Sequence, residues 1–410
     1  MNNMWSDKKC INIIINILLF LMTINFMHIG QFLLPIICSI LFIDNKFKLK
    51  INNYYIFIIL CLFALAFCIF SYKLGFYCFI GFCLPMAYYI GCNLKTNEDN
   101  IKKLIYILAF SMASHLVLDF IFESLLLNFD YQSMFGKIFH YDIWISINTL
   151  LQGNEIYVNG RIRTTILSLN YVLILACFFY LFVFEKNKKI KAIGISLFIL
   201  SSIYCLALGR RTTFFMFIIV LFISLIYYLI CVKKVNVKIF IKYIFILLFI
   251  FFLSIVLVYL NLFDVKTYLS RITLFNKIFT QGFNSGRIAI FINSIKYYAQ
   301  YLWGGQKISE SIGSLIHNMW GDIYDYAGII PFILMVIYTI SSVEIGINFI
   351  KNKSISTSFK LIIINIYICS FLVMLLEPLL SAFSLLLIVI VLLISSFDTY
   401  NNLVSKGEEL

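Results

Sequence analysis

Charge is what this sequence has least of. Only 12% of its 410 residues are Asp, Glu, Lys or Arg, about half the share of a soluble globular chain. No internal repeat, low-complexity tract or Pro/Gly-rich linker divides it, and it has only four prolines. The chain therefore reads as one membrane domain over residues 1–410. No CxxC pair occurs among the eleven cysteines, all of which lie in or beside apolar runs. That argues against a disulfide framework or a zinc finger and leaves them as small hydrophobes in helix packing. The first apolar run lacks a small-residue cleavage site and reads as retained. There is no Gly-rich phosphate loop, no Ser/His/Asp series with recognisable spacing, no metal-ligand cluster and no paired-aspartate motif. The expectation is accordingly no metal and no cofactor.

What is present is apolar. Hydrophobic residues make up 62% of the chain, and the mean hydropathy is +0.97. The excess falls in runs of roughly 18–24 residues, the length a helix needs to cross a bilayer core. Spans are read at roughly 11–27, 30–43, 54–71, 74–92, 102–122, 162–184, 191–208, 213–232, 240–262, 320–342, 360–377 and 379–396. The fold class is thus all-α, a polytopic integral membrane protein of about twelve transmembrane helices. Two long polar stretches interrupt the spans, 123–160 and 263–317.

The net charge of +13 raises the question of nucleic acid. The basic residues sit in short clusters between apolar runs, a pattern that orients a membrane protein rather than lining a groove. With the N-terminus inside, every second loop is lysine-rich, and 20 of 26 lysines lie on the cytoplasmic side. Both termini are then cytoplasmic, and the two long loops face outwards.

The arginines break this rule. All six (Arg161, Arg163, Arg210, Arg211, Arg271 and Arg287) fall on the outer side. Arginine grips phosphate or carboxylate with a planar fork that never loses its proton, whereas lysine is a point charge. An anion site at the outer interface, for a lipid pyrophosphate or an acidic sugar, accounts for the bias. The plainer reading is that these arginines cap helix ends or pair with loop carboxylates such as Asp130, Asp142 and Asp264.

The second long loop carries further candidates. Ser285-Gly286-Arg287 opens a stretch from Ile288 to Trp303 with apolar residues at helical spacing. Ser285 is its expected N-cap, and Gly304-Gly305 its end. Beyond it, His317-Asn318 meets the tenth span, and Asp325 follows two turns on. Histidine is the side chain whose ordinary pKa suits base catalysis near neutrality, with Asp325 available to orient it. A hydrogen-bonded surface histidine is the plainer alternative. His115 and Asp119, four residues apart in the fifth span, read as a helix-packing pair, or else as a proton relay or headgroup site.

Four features resemble bacterial O-antigen polymerases (Wzy-type) and the related O-antigen ligases. They are twelve spans with long outer loops after the fifth and ninth, Leu208-Gly209-Arg210-Arg211-Thr212-Thr213 at the outer start of the eighth span, Ser285-Gly286-Arg287 followed by Gly304-Gly305, and His317-Asn318 running into Tyr326-Ala327-Gly328-Ile329-Ile330. Arg211 beside Arg210 leaves open which fills the family's role, and Pro331 stands where the family more often has glycine. The resemblance implies a GT-C-like, metal-independent, inverting glycosyltransferase in the bacterial inner membrane. Its donor and acceptor would both be polyprenyl-pyrophosphate-linked oligosaccharides, and a chain-length regulator protein could be a partner. His317 would be the catalytic base, Arg287, Arg210, Arg211, Arg163 and Arg161 would bind pyrophosphate or glycan, and Asn318 and Asp325 would support. The competing readings are an O-antigen ligase and a lipid-linked oligosaccharide flippase.

Overall fold

The computed structural model describes residues 8–71, 75–94, 97–130, 139–156, 161–234, 270 and 287–406. It is a helical bundle. The first half contains α1 (Lys8–Thr23), α2 (Leu33–Asp44), α3 (Tyr54–Phe70), α4 (Phe76–Asn93) and the long α5 (Glu98–Leu126). A short antiparallel pair follows, β1 (Phe139–Tyr141) and β2 (Arg161–Arg163), with α6 (Ile143–Leu151) between the strands. Next come α7 (Thr164–Leu169), α8 (Val172–Val183), α9 (Lys188–Leu208) and α10 (Arg211–Tyr227). The last part is α11 (Arg287–Tyr298), α12 (Lys307–Ile312), α13 (Met319–Ala327), α14 (Ile329–Lys351), α15 (Thr357–Leu376), α16 (Leu379–Ala382) and α17 (Ser384–Lys406).

Among the described residues, seven helices are long and apolar enough to cross a membrane, and four shorter helices are apolar. The ninth expected span, 240–262, lies outside the described residues. Side-chain caps fix several starts: Asn53, Asn97, Asn187 and Ser356 each accept from a backbone N–H in the first turn of the helix that follows.

Two expected spans are displaced. The run 320–342 divides at Gly328, whose φ of +81° ends α13. The membrane-length helix is therefore α14, beginning at Ile329. The run 379–396 likewise divides at Phe383, and α17 continues to Lys406 because Asp398 and Asn401 find partners in Asn52 and Asn352. Of the loop read over 123–160, the described residues 123–130 and 139–156 hold the end of α5, β1 and α6. The helix expected over 288–303 stops at Tyr298, and its expected cap Ser285 lies outside the described residues.

At the centre is α17, buried at every position from Ser384 to Asp398. It packs closely on α4, where a Cβ on Gly91 would collide with Leu392 and Ser395. Around this pair, α3 bridges α4 and α14, and α8 lies among α5, α9 and α15.

The two ends of the bundle differ in chemistry. At one end, Asn45 bonds Asn93, Ser356 bonds Glu98, Asn352 bonds Asn401, and Lys102 pairs with Glu98 at 2.7 Å. The lysine-bearing loops after α2, α8 and α14 lie at this end, with Asn93 bonding the Lys50 carbonyl and Tyr106 bonding Glu185. At the other end lie the histidines, Arg210, Arg211, Glu377 and the β1–α6–β2 insertion.

Candidate functional site

The sequence of α5 places His115, Asp119 and Glu123 at four-residue steps, so they share one stripe near the helix's C-terminal end. The insertion docks on that stripe. His140 of β1 contacts Glu123, Nδ1 to Oε2 at 2.8 Å, and the Tyr204 hydroxyl of α9 donates to the same oxygen at 2.7 Å. One step up, the Ile143 N–H donates to Asp119 Oδ1 at 2.9 Å. At the top, Asp142 caps α6, its Oδ1 accepting from the N–H groups of Trp144 and Ile145. The same oxygen lies 3.1 Å from His28 Nε2. Asp142 Oδ2 lies 3.2 Å from His115 Nε2, and Asp119 Oδ2 lies 3.5 Å from it.

His115, Asp119 and Asp142 are all buried, and each offers an atom within 4.8 Å of the others. Burial on its own raises a carboxyl's pKa, but the imidazoles of His115 and His28 outweigh it and hold Asp142 well below the usual carboxylate range. A cavity of about 330 Å³ opens beside the cluster, lined by His28, His115, Asp142, Gln31 and Asn170 among others.

His115 and Asp119 are visible in the sequence as an i, i+4 pair, and Glu123 extends the same spacing. Asp142 is not readable as their partner, because only the fold of the insertion brings it back to α5. The cluster also differs from the expectation that the chain has no metal-ligand grouping.

His317, half-buried, sits just ahead of α13. Asn318 is the N-cap of that helix, its side chain accepting from the Gly321 N–H at 2.6 Å. Both line a cavity of about 570 Å³ with Phe291, Tyr298, Trp320, Phe332, Leu375 and Leu376 among others. This wall is aromatic and apolar, and among the described residues no arginine lines it.

Asp325 turns out to be a backbone cap. Its Oδ1 accepts from the N–H groups of Ile308 and Ser309 at 3.0 and 3.2 Å, fastening α12 to α13. The connection is tight. A Cβ on Gly304 would meet backbone atoms of Gly328, and a Cβ on Gly328 would meet the carbonyl of Leu302. Both glycines have positive φ, which suits them to this crossing.

Arg210 precedes α10 and pairs with Glu377 at 3.6 Å, while the Thr212 hydroxyl donates to Glu377 at 2.9 Å. Glu377 directly follows Leu375 and Leu376, which line the same cavity as His317. Arg211 is the first residue of α10. Arg161 and Arg163 are the ends of β2, opposite Tyr141 and Phe139. Arg287 begins α11, which packs on α13 through the stacked rings of Tyr298 and Tyr324. Arg271 lies outside the described residues. The backbone positions of Arg161, Arg163, Arg210, Arg211 and Arg287 thus lie at the end of the bundle opposite the lysine-bearing loops. No family model matches this chain, and no curated protein matches it.

Proposed function

We propose that this protein is a membrane glycosyltransferase that joins polyprenyl-pyrophosphate-linked oligosaccharide repeat units, a polymerase working on the outer face of the bacterial inner membrane. The observation that carries the reading is the position of His317. It lines a large aromatic cavity whose lining includes Leu375 and Leu376, the two residues before Glu377, which pairs with Arg210. Aromatic walls suit sugar rings and isoprenoid chains, and a histidine there can serve a hydroxyl.

In the proposed step the acceptor sugar's hydroxyl attacks the donor's anomeric carbon and passes its proton to His317. The bond from that carbon to the pyrophosphate oxygen breaks, the configuration inverts, and polyprenyl pyrophosphate leaves. Negative charge grows on the leaving group, and Arg287 together with Arg210 or Arg211 stabilises it in a site of low dielectric. Arg161 and Arg163 extend the basic face toward the glycan. Activation is supplied by the donor, and the step requires no metal. In this reading about twelve helices cross the membrane in a GT-C-like arrangement, and both termini are cytoplasmic.

Deletion of the gene, with the surface polysaccharide resolved on a gel, tests this reading. Collapse of a chain-length ladder to a single repeat unit, uncorrected by His317→Ala, is the expected result. Long chains accumulating on the lipid carrier would indicate a ligase. Single units trapped on the cytoplasmic side would indicate a flippase and remove the mechanism.

A further inference from the structure

We propose that His115 Nε2, Asp119 Oδ2 and Asp142 Oδ2 form a binding site for a divalent transition-metal cation, with zinc the best fit. The argument starts from the three atoms themselves. Each is buried, and none has a hydrogen-bond partner. The separations of 3.2 and 3.5 Å from His115 Nε2 are short, but the groups are poorly aligned for N–H donation. One imidazole nitrogen carries at most one hydrogen, which cannot serve two carboxylates in different directions. A cation placed between the three atoms serves them all.

Two of the three spacings have the right size, and the third is within 4.8 Å. Zinc bound tetrahedrally at about 2.0–2.2 Å requires ligand atoms about 3.3–3.6 Å apart. The two separations from His115 Nε2 fall within about 0.1 Å of that window. Charge balances as well, since two buried carboxylates and a neutral imidazole are neutralised by a doubly positive ion.

The surroundings hold the ligands as an outer shell should. The second oxygen of each carboxylate is already engaged. Asp119 Oδ1 accepts from the Ile143 N–H, and Asp142 Oδ1 accepts from Trp144 and Ile145 while touching His28. The Asn170 amide lies 3.5 Å from His115 Nδ1. With that amide turned so that its oxygen faces the ring, it accepts the Nδ1 proton and leaves Nε2 for metal. The adjoining cavity gives access and room for a fourth ligand, a water or an anionic group. The site would tie the insertion to α5, so its role is architectural and independent of the proposed glycosyl transfer.

The test uses the full-length protein purified in detergent, stripped with a chelator and titrated with zinc chloride. Bound metal is counted by mass spectrometry, and the melting temperature is followed by tryptophan fluorescence. The expected result is one zinc per chain and a higher melting temperature with zinc. Affinity should fall at least ~100-fold in His115→Gln, Asp119→Asn and Asp142→Asn, beyond the usual effect of losing an outer-shell partner. Glu123→Gln, which disturbs the neighbouring buried network but none of the three ligands, should keep wild-type stoichiometry. It therefore separates a lost ligand from a lost fold. A wild-type protein that takes up no zinc, or an Asp119→Asn protein that binds it as tightly as wild type, overturns the site. A melting temperature that follows pH and ignores zinc would show the cluster to be an ion-pair network and also overturns it.

Discussion

Arg210 and Glu377, distant in sequence, meet at 3.6 Å where α10 begins and α15 ends. The Glu377 side chain is only 2% exposed, and the Thr212 hydroxyl also donates to it. Removing one partner of a fully buried pair costs ~3–5 kcal/mol. Arg210 keeps 20% exposure, so Arg210→Ala should cost less, roughly 2–3 kcal/mol. Glu377→Gln retains the Thr212 hydrogen bond and should cost less again. Melting of the two variants in detergent checks the order.

Asp325 separates a structural role from a catalytic one. Asp325→Ala strands the N–H groups of Ile308 and Ser309, at a cost of about 1–3 kcal/mol. Asp325→Asn keeps an acceptor and should fold nearly as well as wild type. If Asp325 were needed as an ion beside His317, Asp325→Asn would abolish transfer while remaining stable. We expect it to keep most of its activity, measured as polymer formed per folded protein.

Gly328 ends α13 at a positive φ, with backbone on the side where a Cβ would stand. Gly328→Ala should therefore destabilise by about 1–3 kcal/mol. Gly153 also has a positive φ but open space around it, so Gly153→Ala should sit at the low end of that range. Comparing the two melting temperatures isolates the contribution of the close approach.

The two ends of the bundle predict a labelling pattern. Cys231 is exposed at the end where the lysines lie. Gln152, exposed in the insertion, lies at the opposite end. A membrane-impermeant maleimide should label a Gln152→Cys variant in intact spheroplasts and reach Cys231 only after permeabilisation. The reverse pattern would invert the proposed topology.

Most helices were legible because a run of apolar residues is both necessary and nearly sufficient for a membrane-length helix. The exceptions are instructive. The run 320–342 is continuously apolar enough to read as one span, and only the conformation at Gly328 divides it. The end of α17 was hidden by Asp398 and Asn401, which look like loop residues until Asn52 and Asn352 cover them. Strands of three residues, such as β1 and β2, are too short to show any periodicity.

The candidate sites divide in the same way. His115 and Asp119 announce themselves by helical spacing, and His317 by its position ahead of a span. Asp142 joins the first pair only through the fold of the insertion. Asp325 lies at a plausible spacing from His317, yet its Oδ1 is taken by backbone, because the α12 turn needs a cap.

The central claim is transfer between lipid-linked glycans with His317 as base. Its most direct test is purified protein in liposomes, supplied with lipid-linked repeat units extracted from the deletion strain. The account predicts products of two and more repeats with release of polyprenyl pyrophosphate. It also predicts a rate about 10²–10⁴-fold lower in His317→Ala at unchanged melting temperature. A stable His317→Ala protein that polymerises at the wild-type rate would contradict the assignment of the base. A folded wild-type protein that makes no product from these units would contradict the account as a whole.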